Sequence, residues 1–247
     1  MFVRRAVSVA LVAVAGLALL VPAPASATPV LQRLVIGHSV RHRPIVAYHL
    51  GNPKLRRVDV VIGQMHGDEH AGVRVANAIV RGGRLTGVNL WVIPTMNPDG
   101  DAAHTRKNAH HVDLNRNWPV AWKHLTGQYA SGPRPLSEPE NRAVHAFLLR
   151  EHARDVISLH QPLYGVDTTD GGRLDPRLRK RLAHNLGLPS KPFRCWSTCH
   201  GSMTRWYTAR HHGVALTVEF GAHPKAGYLT GRARRGIVAA LGGHAAG

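Results

Sequence analysis

Val58-Asp59-Val60-Val61-Ile62-Gly63-Gln64-Met65-His66-Gly67-Asp68-Glu69-His70 is the stretch from which the rest of the chain is read. Its apolar run, rich in Val and Ile, reads as a buried strand, and Ala71 to Arg81 reads as a helix after it. Between them stand His66 and Glu69, two potential metal ligands in a His-x-x-Glu pattern. Active sites of open α/β sheets gather at the carboxyl ends of strands, which is where this pair falls.

Working outward, Leu34 to Gly37 and Pro44 to Tyr48 flank a polar turn and predict a strand pair. Val88 to Pro94 is another strand, running into Asn97-Pro98-Asp99-Gly100, a turn signal. Asp101 to Pro135 has little periodicity, and so long a loop in a compact domain points to function. Ser137 and Glu140 predict a capping box, with Pro139 in the first turn of a helix reaching about Glu151. Asp155 to His160 is a third strand of this kind, Asp175 to Leu186 a basic helix, and Gly201-Ser202 opens a helix through His211. Val214 to Phe220 is a final strand, and Arg232 to Leu241 a closing helix. Alternating strands and helices predict an α/β sandwich with a largely parallel sheet.

Three strand ends therefore carry His66 with Glu69, His160, and Glu219. A catalytic zinc takes three protein ligands and leaves a fourth position open, and two His with one carboxylate form such a set. His66, Glu69 and His160 supply it, for one zinc per chain. Glu219 is the spare carboxylate, suited to be the general base. His66 to His70 also reads as His-x-x-Glu-His, in which both His would bind zinc and Glu69 would be the base. That motif belongs on a helix, whereas Gly67 here follows a strand, and it leaves His160 and Glu219 without a role.

The start of the chain reads differently. Arg4 and Arg5, the apolar run Ala6 to Val21, and Ala25-Ser26-Ala27 make a secretory signal peptide with cleavage after Ala27. Residues 28–247 then form one catalytic domain, secreted or held in the cell envelope. Losing Arg4 and Arg5 takes Lys plus Arg from 32 to 30 against 14 acids, and the net charge from +18 to +16. Such a protein is attracted to polyanions. Export and the scatter of the basic residues favour an anionic cell-wall surface or an acidic substrate over specific nucleic acid, and the plainest reading is charge that serves only solubility. Cys195 and Cys199, the only cysteines, are expected to form a local disulfide in that compartment.

The ordered set His66-x-x-Glu69, Asn97-Pro98-Asp99-Gly100, Arg106, Asp113-Leu114-Asn115-Arg116-Asn117, Ser158-Leu159-His160 and Glu219 resembles the zinc carboxypeptidases, from roughly Gly37 to Gly221. The resemblance implies a three-layer α/β/α sandwich with a mixed, largely parallel sheet. It implies zinc on His66, Glu69 and His160, and Glu219 as base and then proton donor to the leaving amine. Arg106 would hold the scissile carbonyl, Asn115 and Arg116 the substrate's terminal carboxylate, and Asp113 would orient His66. Met203 falls where the family lines its specificity pocket. Where the family has a mobile Tyr, Trp196 lies near the place, which puts a phenol donor in doubt; Tyr164 and Tyr207 are candidate substitutes that no motif supports. Pro135 to Glu140 and His160-Gln161-Pro162-Leu163 are similar to small bacterial murein peptide amidases, which cut between γ-D-glutamate and diaminopimelate. The expectation is a monomeric peptidase acting on a peptide or muropeptide with a free carboxylate. The rival readings are a zinc deacylase of N-acyl amino acids and a non-catalytic wall-binding relative.

Overall fold

Val60 and Ile62 face one side of their strand and Val61 the other, and each side meets a different layer of helices. The structure, a computed structural model, describes residues 30–169, 175–193 and 198–245. Its elements in chain order are β1 (Gln32–His38), β2 (Pro44–Gly51), β3 (Val58–Ile62), α1 (His70–Arg81), β4 (Leu85–Thr86), β5 (Asn89–Ile93), α2 (Pro98–Ala103) and α3 (Pro139–Glu151). Then follow β6 (Asp155–His160), β7 (Leu163–Asp167), α4 (Pro176–Leu186), β8 (Ser190–Lys191), α5 (Met203–Arg210) and β9 (Val214–Gly221). The last are α6 (Ala226–Tyr228), a π-helical turn (Leu229–Ala233), α7 (Arg234–Ala240) and β10 (His244–Ala245).

Eight strands form one sheet in the order β1-β2-β5-β3-β6-β9-β7-β8. Its centre, β5-β3-β6-β9, is parallel, while β1, β2 and β7 run antiparallel to their inner neighbours. The four central strands are buried almost throughout, which is why they read as continuous apolar runs. Val61, Leu90, Ile157 and Leu216 pack with Val75 and Ile79 of α1, Leu178 and Leu182 of α4, and Ile237 of α7. On the other face Val60, Trp91, Val156 and Ala215 pack with Val144 and Phe147 of α3 and Trp206 and Tyr207 of α5. The expected three-layer α/β/α sandwich is the one formed.

Several local expectations change. Asn97-Pro98-Asp99-Gly100 starts a helix rather than a simple turn. Asn97 accepts a hydrogen bond from the Gly100 amide, and Pro98 takes the first helical position, where its missing N–H costs nothing. The capping box at Ser137 does not form: α3 begins at Pro139, and the Ser137 hydroxyl donates to Glu138 Oε1 instead. β9 is not the last strand, because β10 pairs with β4 in a separate two-stranded sheet. The closing helix starts earlier than expected and is interrupted by the π turn. β7 and β8 went unforeseen; β7 follows the cis Gln161–Pro162 bond almost at once. Residues 1–27, Cys195 and Trp196 lie outside the described residues, and with them the expected signal peptide and the Cys195 half of the expected disulfide.

Candidate metal centre

β3 ends at Ile62, and three residues, Gly63 to Met65, carry the chain to His66. Gly67 there lies against the backbone of Gly100 and Asp101, so closely that a Cβ would collide. Asn97 holds the same loop from beneath, its amide donating to the Met65 carbonyl at 3.1 Å and the Arg106 carbonyl at 3.4 Å. Glu69 takes the N-cap position of α1 without capping it. The Gln161 side-chain oxygen does that work, accepting from the Ala71 amide at 2.7 Å. Glu69 is thereby left to turn toward β6, where His160 is the last residue.

The three expected ligands converge. One donor atom from each of His66, Glu69 and His160 lies within 4.8 Å of the others, and all three residues are buried. His66 Nδ1 is 2.7 Å from Glu69 Oε1, His160 Nδ1 is 2.9 Å from Glu69 Oε2, and the two Nδ1 atoms are 3.3 Å apart. The outer nitrogens are held from behind: His66 Nε2 by Asp113 Oδ1 at 3.1 Å, and His160 Nε2 by the Ser158 hydroxyl at 2.8 Å. Both rings thus aim Nδ1 at one point, the arrangement metal-binding histidines adopt. Burial alone would lower the pKa of His66, but the Glu69 and Asp113 carboxylates raise it to about 9. Against their own burial, Glu69 and Asp113 are held well below the carboxylate range, Glu69 by the two histidines and Asp113 by His66 and Arg106. Two imidazole nitrogens and an ionised carboxylate in a buried recess fit zinc.

His70 stays out of this group. Its Nε2 lies 3.1 Å from His104 Nδ1 and its Nδ1 3.5 Å from Asp101. That excludes the His66–His70 zinc pairing.

Glu219 stands in register with His160 on the adjoining strand, so both side chains leave the same face of the sheet. It is 8% exposed, and one oxygen accepts from the Leu163 amide at 3.1 Å. Burial raises its pKa, with His160 pulling the other way. Arg106 donates through Nε and Nη2 to Asp113 Oδ2, at 3.0 and 2.9 Å, and through Nη1 to Glu69 Oε1 at 3.3 Å. Arg116 is buried; Nη1 donates to the Asn115 carbonyl, and Nε has no hydrogen-bond partner among the described residues. Burial and nearby Arg106 lower the pKa of Arg116 against the pull of Asp113. Tyr129 lies against both cations, its ring centre 5.6 Å from the Arg106 guanidinium and 5.2 Å from that of Arg116.

One expectation fails, and one candidate drops out. Met203 has no exposed surface: it packs in the core with Leu114 and Trp118, and only its amide meets the site, donating to Asn115 Oδ1 at 3.1 Å. Tyr207 is equally buried, with its hydroxyl donating to the Ala153 carbonyl, so it is no phenol donor. Tyr164, half exposed beside Gly221, remains. Sequence reading missed Ser158, Gln161 and Tyr129. Ser158 was visible in principle, because two residues before His160 on a strand means the same face.

The profile of the zinc carboxypeptidases matches residues 23–164. Murein peptide amidase A of Escherichia coli K12 is 31% identical over 151 residues, 54% of this chain and 60% of that protein. The Vibrio campbellii protein of the same name is 29% identical over 167 residues, 62% of this chain and 65% of that one. The match therefore spans less than two thirds of these relatives. Among solved structures, murein-tripeptide amidase of Escherichia coli O157 superposes with a TM-score of 0.67 at 24% identity, covering 85% of this chain and 90% of that one. Carboxypeptidase A of Helicoverpa armigera gives 0.70 at 15%, covering 86% and 68%. With His66, Glu69 and His160 gathered as the family's metal set requires, the chain belongs to the zinc carboxypeptidases.

Proposed function

We propose that the protein is a zinc-dependent peptidase that hydrolyses an amide bond next to a free carboxylate in murein peptides, between γ-D-glutamate and diaminopimelate. The observation that carries this is the buried convergence of His66, Glu69 and His160 beside Glu219. Zinc held there supplies a Lewis acid that polarises a carbonyl and makes a hydrolytic water more acidic. Glu219 takes a proton from that water on its carboxylate and delivers it to the leaving amine nitrogen. A burial-raised pKa suits a group that must both accept and release a proton. Arg116, buried and with Nε unpartnered among the described residues, receives the substrate's terminal carboxylate, helped by Asn115. Arg106 stabilises charge developing on the scissile carbonyl oxygen.

The name murein peptide amidase, borne by several relatives, supports the substrate class. The one buried His-Glu-His group among the described residues supports one zinc per chain. The leader pattern read in residues 1–27 supports export to the envelope, where wall peptides are found. The described residues contain no helix long and apolar enough to cross a membrane. The test is zinc-loaded protein lacking residues 1–27, given muropeptides, ordinary dipeptides and N-acyl amino acids in one mixture and read by mass spectrometry. Release of diaminopimelate, lost by at least ~100-fold in Glu219→Gln, is the expected outcome. Preferential turnover of N-acyl amino acids would make it a deacylase, and no turnover of any substrate a binding relative.

A further inference from the structure

Between residues 176 and 247 the chain has twelve Lys and Arg and a single acid, Glu219, which belongs to the metal centre. From residue 70 to 98 there is no acid at all. On one face of the sheet α7 packs against both α1 and α4, whereas α5, with Arg205 and Arg210, lies on the other. The apolar sides of the helices, Leu178, Leu182 and Leu186 of α4 with Ile237 and Val238 of α7, go to the core. Arg177, Lys180 and His184 of α4 and Arg232 and Arg235 are exposed, with Arg74 and Arg81 of α1 beyond. A groove of about 350 Å³ between α4 and the C-terminal helical stretch is lined by His184, Asn185, Arg232, Arg235, Gly236 and Ala239.

Arg232 is fixed, its guanidinium donating to the carbonyls of His184 and Asn185 at the end of α4. Arg177, Lys180 and Arg235 have no ion pair among the described residues, where the Lys and Arg ion pairs belong to Arg43, Arg57, Arg106 and Arg150. Asp175 caps α4 beside Arg177; the remaining cations, with no acid within α1, α4 or α7, repel one another, a cost that an anionic partner relieves. The face also says what the partner is not. α1, α4 and residues 229–240 contain no Phe, Trp or Tyr on which bases could stack, and neighbouring Tyr228 packs its ring against Phe220 and donates its hydroxyl to the Leu186 carbonyl. The exposed large apolar residues, from Val30 to Tyr164, lie on other elements, so nothing here inserts into lipid.

We propose that this face binds an extended phosphodiester polymer, its phosphates running along the groove between α4 and α7. Forked guanidinium donors match phosphate oxygens, and a flexible backbone without stacking bases asks for nothing else. The inference is independent of the reaction proposed above.

The test measures binding of zinc-loaded protein to poly(glycerol phosphate) over a range of salt. Two triple variants are compared: R177Q/K180Q/R235Q, and R33Q/K54Q/R56Q, which removes the same charge from β1 and the β2–β3 loop. Hydrolysis of a small peptide should be unchanged in both, which also shows that they fold. The helix-face variant should bind at least ~10-fold more weakly, with a log–log salt slope shallower by about two to three. The control should stay near wild type. Equal weakening in the two variants would reduce the effect to net charge and overturn the proposal. So would tighter binding of single-stranded DNA than of poly(glycerol phosphate), lost in the helix-face variant, since it would give the face to nucleic acid.

Discussion

Asp113 and Ser158 do the same work for different imidazoles, each holding Nε2 so that Nδ1 points inward. Asp113 was legible because it stands in a motif; Ser158 was quoted only as a neighbour of His160, and its role emerges from the strand's period of two. Removing such a partner costs about 10–100-fold in metal affinity. Ser158→Ala should therefore weaken zinc binding by about 10-fold in a competition with a chromophoric chelator, with the circular dichroism spectrum unchanged. Unaltered affinity would remove Ser158 from the site. Tyr129 was illegible for another reason: it comes from the aperiodic loop, and only the folded chain lays its ring against Arg106 and Arg116. A cation over a ring is worth roughly 0.5–2 kcal/mol, so Tyr129→Leu should raise KM several-fold for substrates with a free terminal carboxylate. The increase should vanish for the amidated substrate, and an equal rise for both would mean that Tyr129 does not act through Arg116. Met203 teaches the converse lesson, since a position carried over from a family says nothing about which way a side chain packs.

At the scale of elements, the central strands and α1 were legible because both faces of the sheet are covered and the apolar runs are uninterrupted. β7 and β8 are short, and the signal that pairs them lies in β9 and in each other rather than in their own residues. Asn-Pro-Asp-Gly serves equally as turn and helix start, and what decided for α2 is the Asn97 cap. The far end of the sheet from the metal centre holds a feature the strand pattern concealed. Asp59 of β3 and Asp155 of β6 are buried side by side, bridged by Arg57 at 3.1 and 2.6 Å. Burial raises the Asp59 pKa to about 6, although Arg57 pulls it down. Between the ordinary value of 3.8 and about 6 the folded chain then holds more proton than the unfolded one. Stability through this group is therefore full below the lower value and declines as pH rises through the higher, by on the order of 1–3 kcal/mol. Urea unfolding at pH 4.5 and 6.5 should show that decline in wild type and a flatter profile in Asp59→Asn. Parallel profiles would mean that Asp59 is ionised at both.

For the molecule as a whole, the ligands and the base come from residues 66 to 219, yet they meet because β3, β6 and β9 are adjacent and parallel, with their ends at one edge. Order along the chain and strand polarity were enough to foresee that meeting. Charge distribution was not: the net value was visible, but its gathering on the α1–α7–α4 face depends on how the helices pack. All the chemistry proposed for this chain depends on one zinc between His66, Glu69 and His160. Anomalous diffraction at the zinc edge from crystals of the zinc-loaded protein measures this directly. A single strong peak about 2.0–2.2 Å from His66 Nδ1, His160 Nδ1 and a Glu69 oxygen is the expected result. A principal peak at His70 and His104, with the inner site empty, would contradict it.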